Sequence, residues 1–310
     1  MFIVYFLLFF ISTNGFADSA QQWQRACDQN DAVSCANLAA LYANGNFVKQ
    51  DFVIAKQFYE KACQGGDLLG CLNLGDWYRD GRYLPQDYQA ARHFYQHACE
   101  QPQQLGCSEL GDLYANSLGV KQNYPQAVLL YEKACASKDT LGCIKLAQLY
   151  QEGRHLKRDV AKAVALYEKG CNSVDKLGCS QLGQLYSRGQ GVTKNYPQAM
   201  QLFTLACQSN DLLGCFNLGV LYKGEGGVAQ DYVKAAHFFT QACQGHLAFS
   251  CAELGELYLK GHGVKANKVK ALQLFQQACT AGSHEGCTSL AFMRYYAQEI
   301  APAQQEKGNK

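Results

Sequence analysis

The chain has 310 residues, of which 48% are hydrophobic, and it contains 16 cysteines. Its 28 basic and 26 acidic residues give a formal net charge of +2, and neither sign forms a run. Nucleic-acid-binding proteins normally carry a basic stripe, so the composition argues against a nucleic-acid partner.

The chain begins with an apolar run over residues 1–11. This run is too short for a helix that spans a bilayer core of about 30 Å. Gly15 and Ala17 occupy the −3 and −1 positions of a cleavage site, so the sequence predicts a signal peptide at 1–17 and a mature start at Asp18. No Lys or Arg precedes the run, which leaves an uncleaved membrane anchor as the alternative. With cleavage, we expect a secreted or periplasmic protein without a stable membrane span.

The sixteen cysteines behind this segment form eight pairs. Seven residues separate the two members of each pair, and successive pairs follow at intervals of 36 residues without any insertion. The pairs are Cys27/Cys35, Cys63/Cys71, Cys99/Cys107, Cys135/Cys143, Cys171/Cys179, Cys207/Cys215, Cys243/Cys251 and Cys279/Cys287. So strict a period is typical of a solenoid of repeated supersecondary units.

The second cysteine of each pair introduces an apolar helical pattern, which we call helix A. In the first copy Leu38, Ala39 and Tyr42 lie three, four and seven residues after Cys35, which places them on one helical face. The fourth position is Gly or Ala in every copy, so a neighbouring helix can approach closely. Glycines that favour a left-handed cap predict the end of helix A at Gly45, Gly81, Gly153, Gly189 and Gly261.

A second helix, helix B, follows in each copy. Its alanine and aromatic residue, four positions apart as in Ala55 and Tyr59, again form one helical stripe. The sequence therefore predicts an all-α solenoid with a ladder-like core. Residue types that favour helix N-termini mark the start of helix B at Asp51, Asp87, Asn123, Asp159, Asn195, Asp231 and Asn267.

The cysteines lie where helix B ends and the next helix A opens. Disulfides within the eight pairs would use all sixteen thiols, starting from a lone B-type helix near residues 21–28 and ending with a lone A-type helix from Cys287. A bridge from Cys35 to Cys63 is also possible in geometry, but that scheme would leave Cys27 and Cys287 unpaired. Structural zinc sites typically have two to four residues between cysteines, so disulfides are favoured over zinc. We expect the stapled solenoid to cover residues 18–297, with a flexible tail at 298–310.

The repeat resembles a known family. The pattern Cys-x-x-Leu-Gly-x-Leu-Tyr-x-x-Gly-x-Gly-Val, followed by Asn-Tyr-x-x-Ala-x-x-x-Phe, runs from Cys179 to Phe203 and is similar to the Sel1-like repeat, a relative of the tetratricopeptide repeat. The paired cysteines resemble the secreted cysteine-rich subfamily first known from Helicobacter. This resemblance implies a right-handed superhelix whose A helices line the concave side, where partners often bind. Local departures are Ser117 in place of Gly, Gly170 in place of Ala and Arg294 in place of Tyr.

Some members of that subfamily are described as penicillin-binding proteins or weak β-lactamases, so this activity is the alternative function. A serine β-lactamase needs Ser-x-x-Lys together with Ser-Asp-Asn and Lys-Thr-Gly. Ser173 and Lys176 match the first motif within a polar turn, and the other two motifs do not occur. We therefore predict no catalytic residue.

Metal and cofactor sites receive little support from the sequence. His93 and His97 share a helical face at metal-ligand spacing. The equivalent residues in neighbouring copies are mostly of solvent type, and each Gly-x-Gly recurs at the end of a helix A, where it has a capping role. No metal and no cofactor are predicted. The equivalents of the two histidines are Gln57, Lys61, Leu129 and Lys133.

The positions that vary between copies point to binding. Residues two, five and nine positions after the second cysteine lie on one side of helix A, and they differ from copy to copy while the framework is uniform. We predict that a monomer binds a protein or peptide partner there, and drift on a solvated face is the alternative. Asp76, Asp80 and Asp112 suggest a basic or polar partner at the N-terminal end. The predicted binding stripe consists of Asn37, Asn73, Asp76, Asp80, Glu109, Asp112, Lys145, Gln148, Gln181 and Arg188.

Overall fold

The computed structural model describes residues 13–153, 155–174, 176–224, 226 and 228–305, with the backbone alone for 13–18 and 296–305. Within these residues the α-helix is the only regular secondary structure, with sixteen helices joined by turns and loops and no strand. The predicted all-α repeat architecture is therefore confirmed. The predicted signal peptide lies outside the described residues over 1–12, so it stays a prediction.

The sixteen helices alternate between the two predicted types. The B-type helices are α1 (Thr13–Asp28), α3 (Phe52–Gln64), α5 (Tyr88–Glu100), α7 (Tyr124–Ala136), α9 (Val160–Cys171), α11 (Tyr196–Gln208), α13 (Tyr232–Gln244) and α15 (Lys268–Thr280). The A-type helices are α2 (Ala32–Asn44), α4 (Leu68–Asp80), α6 (Cys107–Ala115), α8 (Thr140–Glu152), α10 (Cys179–Arg188), α12 (Leu212–Tyr222), α14 (Ala248–Lys260) and α16 (His284–Gln305). Two compact units, 1–145 and 146–310, divide the chain within α8.

The predicted boundaries of the helices have a clear chemical basis. Each of the seven predicted Asp or Asn residues is the N-cap of its B helix, and its side chain accepts a backbone N–H from the first turn, as Asp51 does from Val53 and Ile54. The N–H of each cap in turn donates to the carbonyl of the tyrosine in the preceding helix A, as Asp51 donates to Tyr42. These bonds satisfy backbone groups that helix ends otherwise leave open.

The start of helix A differs from the prediction in six copies. There the helix begins three residues before the second cysteine rather than at it. Asp31, Asp67 and Asp211 explain the difference in three of these copies, because each accepts an N–H of the first turn and so caps the helix earlier, whereas α14 starts equally early after Leu247 without a side-chain cap. Helices α6 and α10 do start at Cys107 and Cys179, after glycine N-caps that provide no side-chain bond.

Cys143 is one of the cysteines for which the predicted helix start was wrong. It does not open helix A but lies within the first turn of α8, which already begins at Thr140. The physical reason is the preceding Asp139, whose side chain accepts the Leu141 N–H over 3.0 Å and whose carbonyl accepts the Cys143 N–H over 3.4 Å. The predicted pairing of Cys143 is nevertheless confirmed, because it is buried and bonded to Cys135.

All eight disulfides close within the predicted pairs, and none of the sixteen cysteines, which all lie in the described part of the chain, is free. The Cα atoms of each pair are 4.4 to 4.8 Å apart, because the turn brings the end of one helix B beside the start of the next helix A. The alternative bridge from Cys35 to Cys63 is not formed. The disulfides are Cys27–Cys35, Cys63–Cys71, Cys99–Cys107, Cys135–Cys143, Cys171–Cys179, Cys207–Cys215, Cys243–Cys251 and Cys279–Cys287.

The small residue in helix A allows an aromatic ring to lie against its backbone. A Cβ atom added to Gly75, Gly111, Gly183, Gly219 or Gly255 would lie only 2.3 to 2.7 Å from a ring carbon of the aromatic residue in the next helix B. Those rings belong to Tyr95, Tyr131, Phe203, Phe239 and Phe275, all of which are buried. Close packing explains why glycine is kept there despite a cost of about 1 kcal/mol within a helix.

The two ends of the chain extend the repeat. Helix α1 begins at Thr13, earlier than the predicted lone B helix and within the predicted signal peptide, and α16 continues to Gln305. Part of the predicted tail at 298–310 is therefore helical, while residues 306–310 lie outside the described residues. Whether the tail is flexible stays a prediction. None of the described helices has both the length and the apolar character needed to cross a membrane.

Candidate binding surface

The predicted binding stripe is accessible but not fully exposed. Nine of its ten residues are half-buried, and Arg188 is exposed. The unit formed by residues 1–145 contains the first seven of them, from Asn37 to Lys145. The unit formed by 146–310 contains Gln148, Gln181 and Arg188.

Asp76 and Asp80 take part in bonds that hold the fold. The Tyr95 hydroxyl donates to Asp76 Oδ1 over 2.7 Å, and Arg79 lies 3.1 Å from the same oxygen. Asp80 pairs with Arg79 at 2.8 Å and with Arg82 at 3.0 Å. The hydrogen bond from Arg79 holds the pKa of the Asp80 carboxyl below its usual range. These cations offset much of the acidic charge that the sequence suggested.

Asp112 repeats this arrangement one copy later. It accepts a hydrogen bond of 2.6 Å from the Tyr131 hydroxyl and pairs with Lys145 at 3.1 Å. Burial, together with the adjacent Asp112 charge, raises the pKa of the Tyr131 hydroxyl, so the hydroxyl stays protonated and can donate. Two stripe residues, Asp112 and Lys145, are thus brought together from successive A helices.

Glu109 lies in a small acidic cluster. The Ser108 Oγ is 2.8 Å from Glu109 Oε2 and 2.5 Å from Asp139 Oδ2. A hydroxyl has one hydrogen, so it can donate to only one of these carboxylates at a time. Burial is the main cause that raises the pKa of Glu109, and the charges of Asp139 and Asp76 add to the effect. A proton on Glu109 would let it donate to Ser108 while Ser108 donates to Asp139.

The unit formed by residues 146–310 has a polar cavity on its A helices. The cavity has a volume of about 480 Å³ and is bordered by the end of α12, one face of α14 and the first turns of α16. Glu253 and Glu256 lie two and five positions after Cys251, which are the stripe offsets. The lining residues are Lys223, Ala252, Glu253, Glu256, His284, Glu285, Thr288 and Ser289.

This cavity was not predicted, although the sequence contained a signal for it. The same offsets of two and five residues, continued past Arg188, lead to Glu253 and Glu256. Lys223 could not be found in this way, because it lies eight positions after its cysteine. Lys223 Nζ contacts Glu253 at 2.8 Å, which joins α12 to α14 across the cavity wall.

A larger cavity of about 760 Å³ lies beside α11 and has mostly apolar walls. It is lined by Tyr196, Pro197, Met200, Gln201, Gly226 and Val228. Tyr196 and Pro197 have the counterparts Tyr124 and Pro125 in an earlier copy. Since its walls use framework residues, this cavity offers less basis for specific recognition than the variable stripe does.

The two histidines on α5 do not act together. The His93 ring lies against Phe94, with 5.5 Å between the ring centroids. His97 instead turns toward a disulfide, with its Nδ1 3.5 Å from Cys71 Sγ and 3.9 Å from Cys63 Sγ. Sequence spacing along α5 could not show this contact, because the cysteines belong to the preceding turn.

The Ser-x-x-Lys match lies in the turn after α9. The Ser173 hydroxyl donates to the Gly170 carbonyl over 2.6 Å, and Val174 beside it is 95% exposed. This hydroxyl is used to cap the end of a helix, and its setting is open to solvent. A nucleophile needs a nearby base that takes its proton and a site shielded from water, whereas this hydroxyl donates to a backbone carbonyl beside an exposed side chain.

Comparison with known proteins gives a consistent family assignment. No curated protein matches the sequence. The Sel1 repeat matches seven segments, 32–67, 68–102, 105–139, 140–175, 177–211, 212–246 and 248–283. Each segment covers one helix A and the following helix B, so α1 and α16 are half-repeats at the two ends. The disulfides therefore connect successive repeats.

Solved structures of Sel1 proteins are similar to this chain. The protective antigen c5321 of uropathogenic Escherichia coli is 27% identical over 88% of the chain, with a TM-score of 0.68. The chain spans only 59% of the length of that protein. A Sel1 repeat protein from Oxalobacter formigenes is 23% identical over 91% of this chain and 82% of its own length, with a TM-score of 0.67.

Helicobacter pylori cysteine rich protein B is 31% identical to this chain. That similarity covers 44% of this chain and 99% of the Helicobacter protein, with a TM-score of 0.36. The seven matched repeats together cover well over half of the sequence. On this basis the chain belongs to the Sel1 repeat family.

Proposed function

We propose that this protein is an extracytoplasmic scaffold that binds a protein or peptide partner along the variable face of its A helices, acting as a monomer. Sel1 repeats typically mediate protein–protein interactions. Eight disulfides are typical of proteins in an oxidising compartment, which supports a secreted or periplasmic location. The framework supplies rigidity, and the residues that differ between copies supply recognition.

The polar cavity of the unit formed by residues 146–310 carries this proposal. It contains Glu253 and Glu256, which have the same offsets from their cysteine as the residues of the predicted stripe, and adds Glu285 from α16. Glu253 pairs with Lys223 at 2.8 Å and Glu256 pairs with Lys260 at 3.1 Å, while Glu285 adds a third carboxylate beside His284. This composition suits a basic side chain, either Lys or Arg, presented by a polar segment of the partner. The α14 and α16 helices pack against one another, so the cavity has a rigid base.

The stripe in the unit formed by residues 1–145 is proposed to add polar contacts rather than a strong acidic field. Asp76, Asp80 and Asp112 are already paired with Arg79, Arg82 and Lys145. Paired side chains of this kind present a fixed pattern of donors and acceptors. Such a pattern favours a specific partner over any polycation.

The experiment uses the oxidised full chain as bait against an extracytoplasmic fraction, followed by titration of each captured protein. Glu256→Lys and Glu285→Lys should each weaken the binding of the true partner at least about tenfold, because they reverse charges in the cavity. Glu168→Lys, on an exposed position of α9, is the matched control and should bind normally. Equal affinity in all three variants would place the binding surface elsewhere.

A further inference from the structure

From the second cysteine pair onward, the residue two positions before the first cysteine of each pair lies in the last turn of its helix B. Where the contacts are described, this side chain lies against the disulfide of the preceding repeat. Lys133 Nζ donates to the Cys99 carbonyl over 2.8 Å, and the Gln241 side-chain oxygen lies 3.5 Å from Cys207 Sγ. His97 occupies this position next to the Cys63–Cys71 disulfide. The seven equivalent residues are Lys61, His97, Lys133, Lys169, Leu205, Gln241 and Gln277.

His97 is therefore the single imidazole among seven equivalent positions. Its Nδ1 and the two sulfur atoms of Cys63 and Cys71 all lie within 4.8 Å of one another. Both cysteines are buried and His97 is half-buried, so the three side chains lie at the edge of the core, with the imidazole partly accessible to solvent. Lys, Leu and Gln are not zinc ligands, whereas imidazole and thiolate are the preferred ones.

We propose that Cys63, Cys71 and His97 form a latent site for a thiophilic divalent cation of the zinc class, which opens when the Cys63–Cys71 disulfide is reduced. In a tetrahedral zinc site, Zn–N and Zn–S bonds of about 2.0 and 2.3 Å put nitrogen and sulfur about 3.5 Å apart. The Nδ1 to Sγ distances of 3.5 and 3.9 Å already approach that value. The imidazole needs little movement to become the third ligand.

The chemistry balances with a dithiol as the reductant. The dithiol passes two electrons and two protons to the S–S bond, which breaks, and the dithiol is itself oxidised to a disulfide. Cys63 and Cys71 are then thiols, and Zn²⁺ displaces both of their protons to solvent. The Nδ1 lone pair of His97 completes a set of three protein ligands, which leaves one tetrahedral position for water. In the oxidised chain the sulfurs are bonded to each other and cannot serve as thiolates.

The remaining disulfides should stay closed in the test, so the reductant is limiting. Oxidised full-length protein is equilibrated with one equivalent of a phosphine reductant, with or without zinc chloride, and the phosphine takes its oxygen from water. After zinc is removed with a chelator, free thiols are alkylated and identified by peptide mapping. We expect zinc to enrich label on Cys63 and Cys71 at least about tenfold over the other pairs. Loss of an outer-shell partner already lowers metal affinity about tenfold or more, so cysteine pairs that lack the third ligand should bind zinc at least that much more weakly.

Two variants test the imidazole: one removes it from its natural repeat, and the other introduces it at the equivalent position of a different repeat. His97→Gln should abolish the zinc-dependent enrichment at Cys63 and Cys71, and Gln241→His should create it at Cys207 and Cys215. If His97→Gln folds poorly, His97→Lys replaces it as the variant without the imidazole, because lysine is the residue found at this position in three other copies. The oxidised variants should keep the helical circular dichroism of the wild type. Unchanged enrichment without His97, no gain with Gln241→His, or label spread over all eight pairs would overturn the proposal.

Discussion

The Tyr95 hydroxyl donates a 2.7 Å hydrogen bond to the Asp76 carboxylate, which lies directly after the glycine that makes room for the tyrosine ring. Tyr131 and Asp112 form the same bond beside Gly111, over 2.6 Å. The residue that the repeat needs for packing thus places an aromatic hydroxyl next to a residue of the variable stripe. Framework and stripe are therefore linked through one side chain in these copies.

Replacement of Tyr95 by Phe should lower the free energy of unfolding of the oxidised protein by about 1.5 to 3 kcal/mol, because a hydrogen bond to a charged acceptor is lost. Arg79 continues to pair with Asp76, so the carboxylate is not left without a partner. Chemical denaturation followed by circular dichroism measures the change. In a double-mutant cycle with Asp76→Asn, the combined loss should be smaller than the sum of the two single losses. Strict additivity would show that the two side chains are not coupled.

The sequence predicted the repeat, its helices and its disulfides because these depend on period and residue type, which are directly visible in eight copies. It did not predict where the tyrosine hydroxyls go. The Gly or Ala of helix A looks equivalent in sequence, but Tyr95 reaches Asp76 in a glycine copy, whereas Tyr167 reaches Gln151 over 2.9 Å in the Ala147 copy. A Cβ at Gly75 would lie 2.3 Å from the Tyr95 ring, and the residue after Ala147 is Gln148 rather than an aspartate, so both the room for the ring and the available partner differ between the two copies.

The binding stripe could be predicted as a set of positions but not as a charge pattern. Offsets along one helix identify Asp80 and Asp112, while the cations that neutralise them lie at other offsets or on the next helix A. The polar cavity likewise depends on α12, α14 and α16 together. Such features arise from contacts between copies, which the pattern within one copy does not encode.

Replacement of Glu109 by Gln should raise stability at neutral pH. Burial raises the pKa of Glu109 in the folded protein above the unfolded value of about 4.3. The folded state then holds the extra proton, so the contribution of this group to stability is present below the unfolded pKa and is lost as pH rises through the folded pKa. The Glu109→Gln variant does not lose stability in this way, because its neutral amide does not ionise as pH rises. The difference in melting temperature between variant and wild type should grow from pH 4 to pH 7, which thermal unfolding across that range will measure.

The fifth copy offers the matched control for Glu109. There Ser180 Oγ lies 3.0 Å from Gln181 Oε1 and 2.5 Å from Asp211 Oδ2, so a neutral amide occupies the place of the carboxyl. Gln181→Glu should therefore destabilise the protein at neutral pH and introduce the pH dependence that Glu109→Gln removes. A Glu109→Gln variant whose stability follows the wild type at every pH would contradict this account of the cluster.

Replacement of Ser117 by Gly should stabilise the protein. Ser117 adopts the left-handed conformation with φ of 58°, where the equivalent residue in five other copies is glycine, such as Gly189 at 66°. A side chain in this conformation costs about 1 to 2 kcal/mol. The Ser117 hydroxyl recovers part of this through a 3.2 Å bond to the Val120 carbonyl. We expect a gain of about 0.5 to 1 kcal/mol, because glycine relieves the strain but costs more chain entropy on folding.

The reverse substitution, Gly189→Ser, tests whether the effect belongs to the position or to one copy. It introduces the same strain at the end of α10, so it should lower the free energy of unfolding by a similar amount. Both variants are compared with the wild type by denaturation under oxidising conditions, where the disulfides stay closed. If serine were tolerated equally at both positions, with midpoints that match the wild type, the left-handed cap would not limit stability here. The departure at Ser117 would then be neutral, and the glycine in the other copies would need a different explanation.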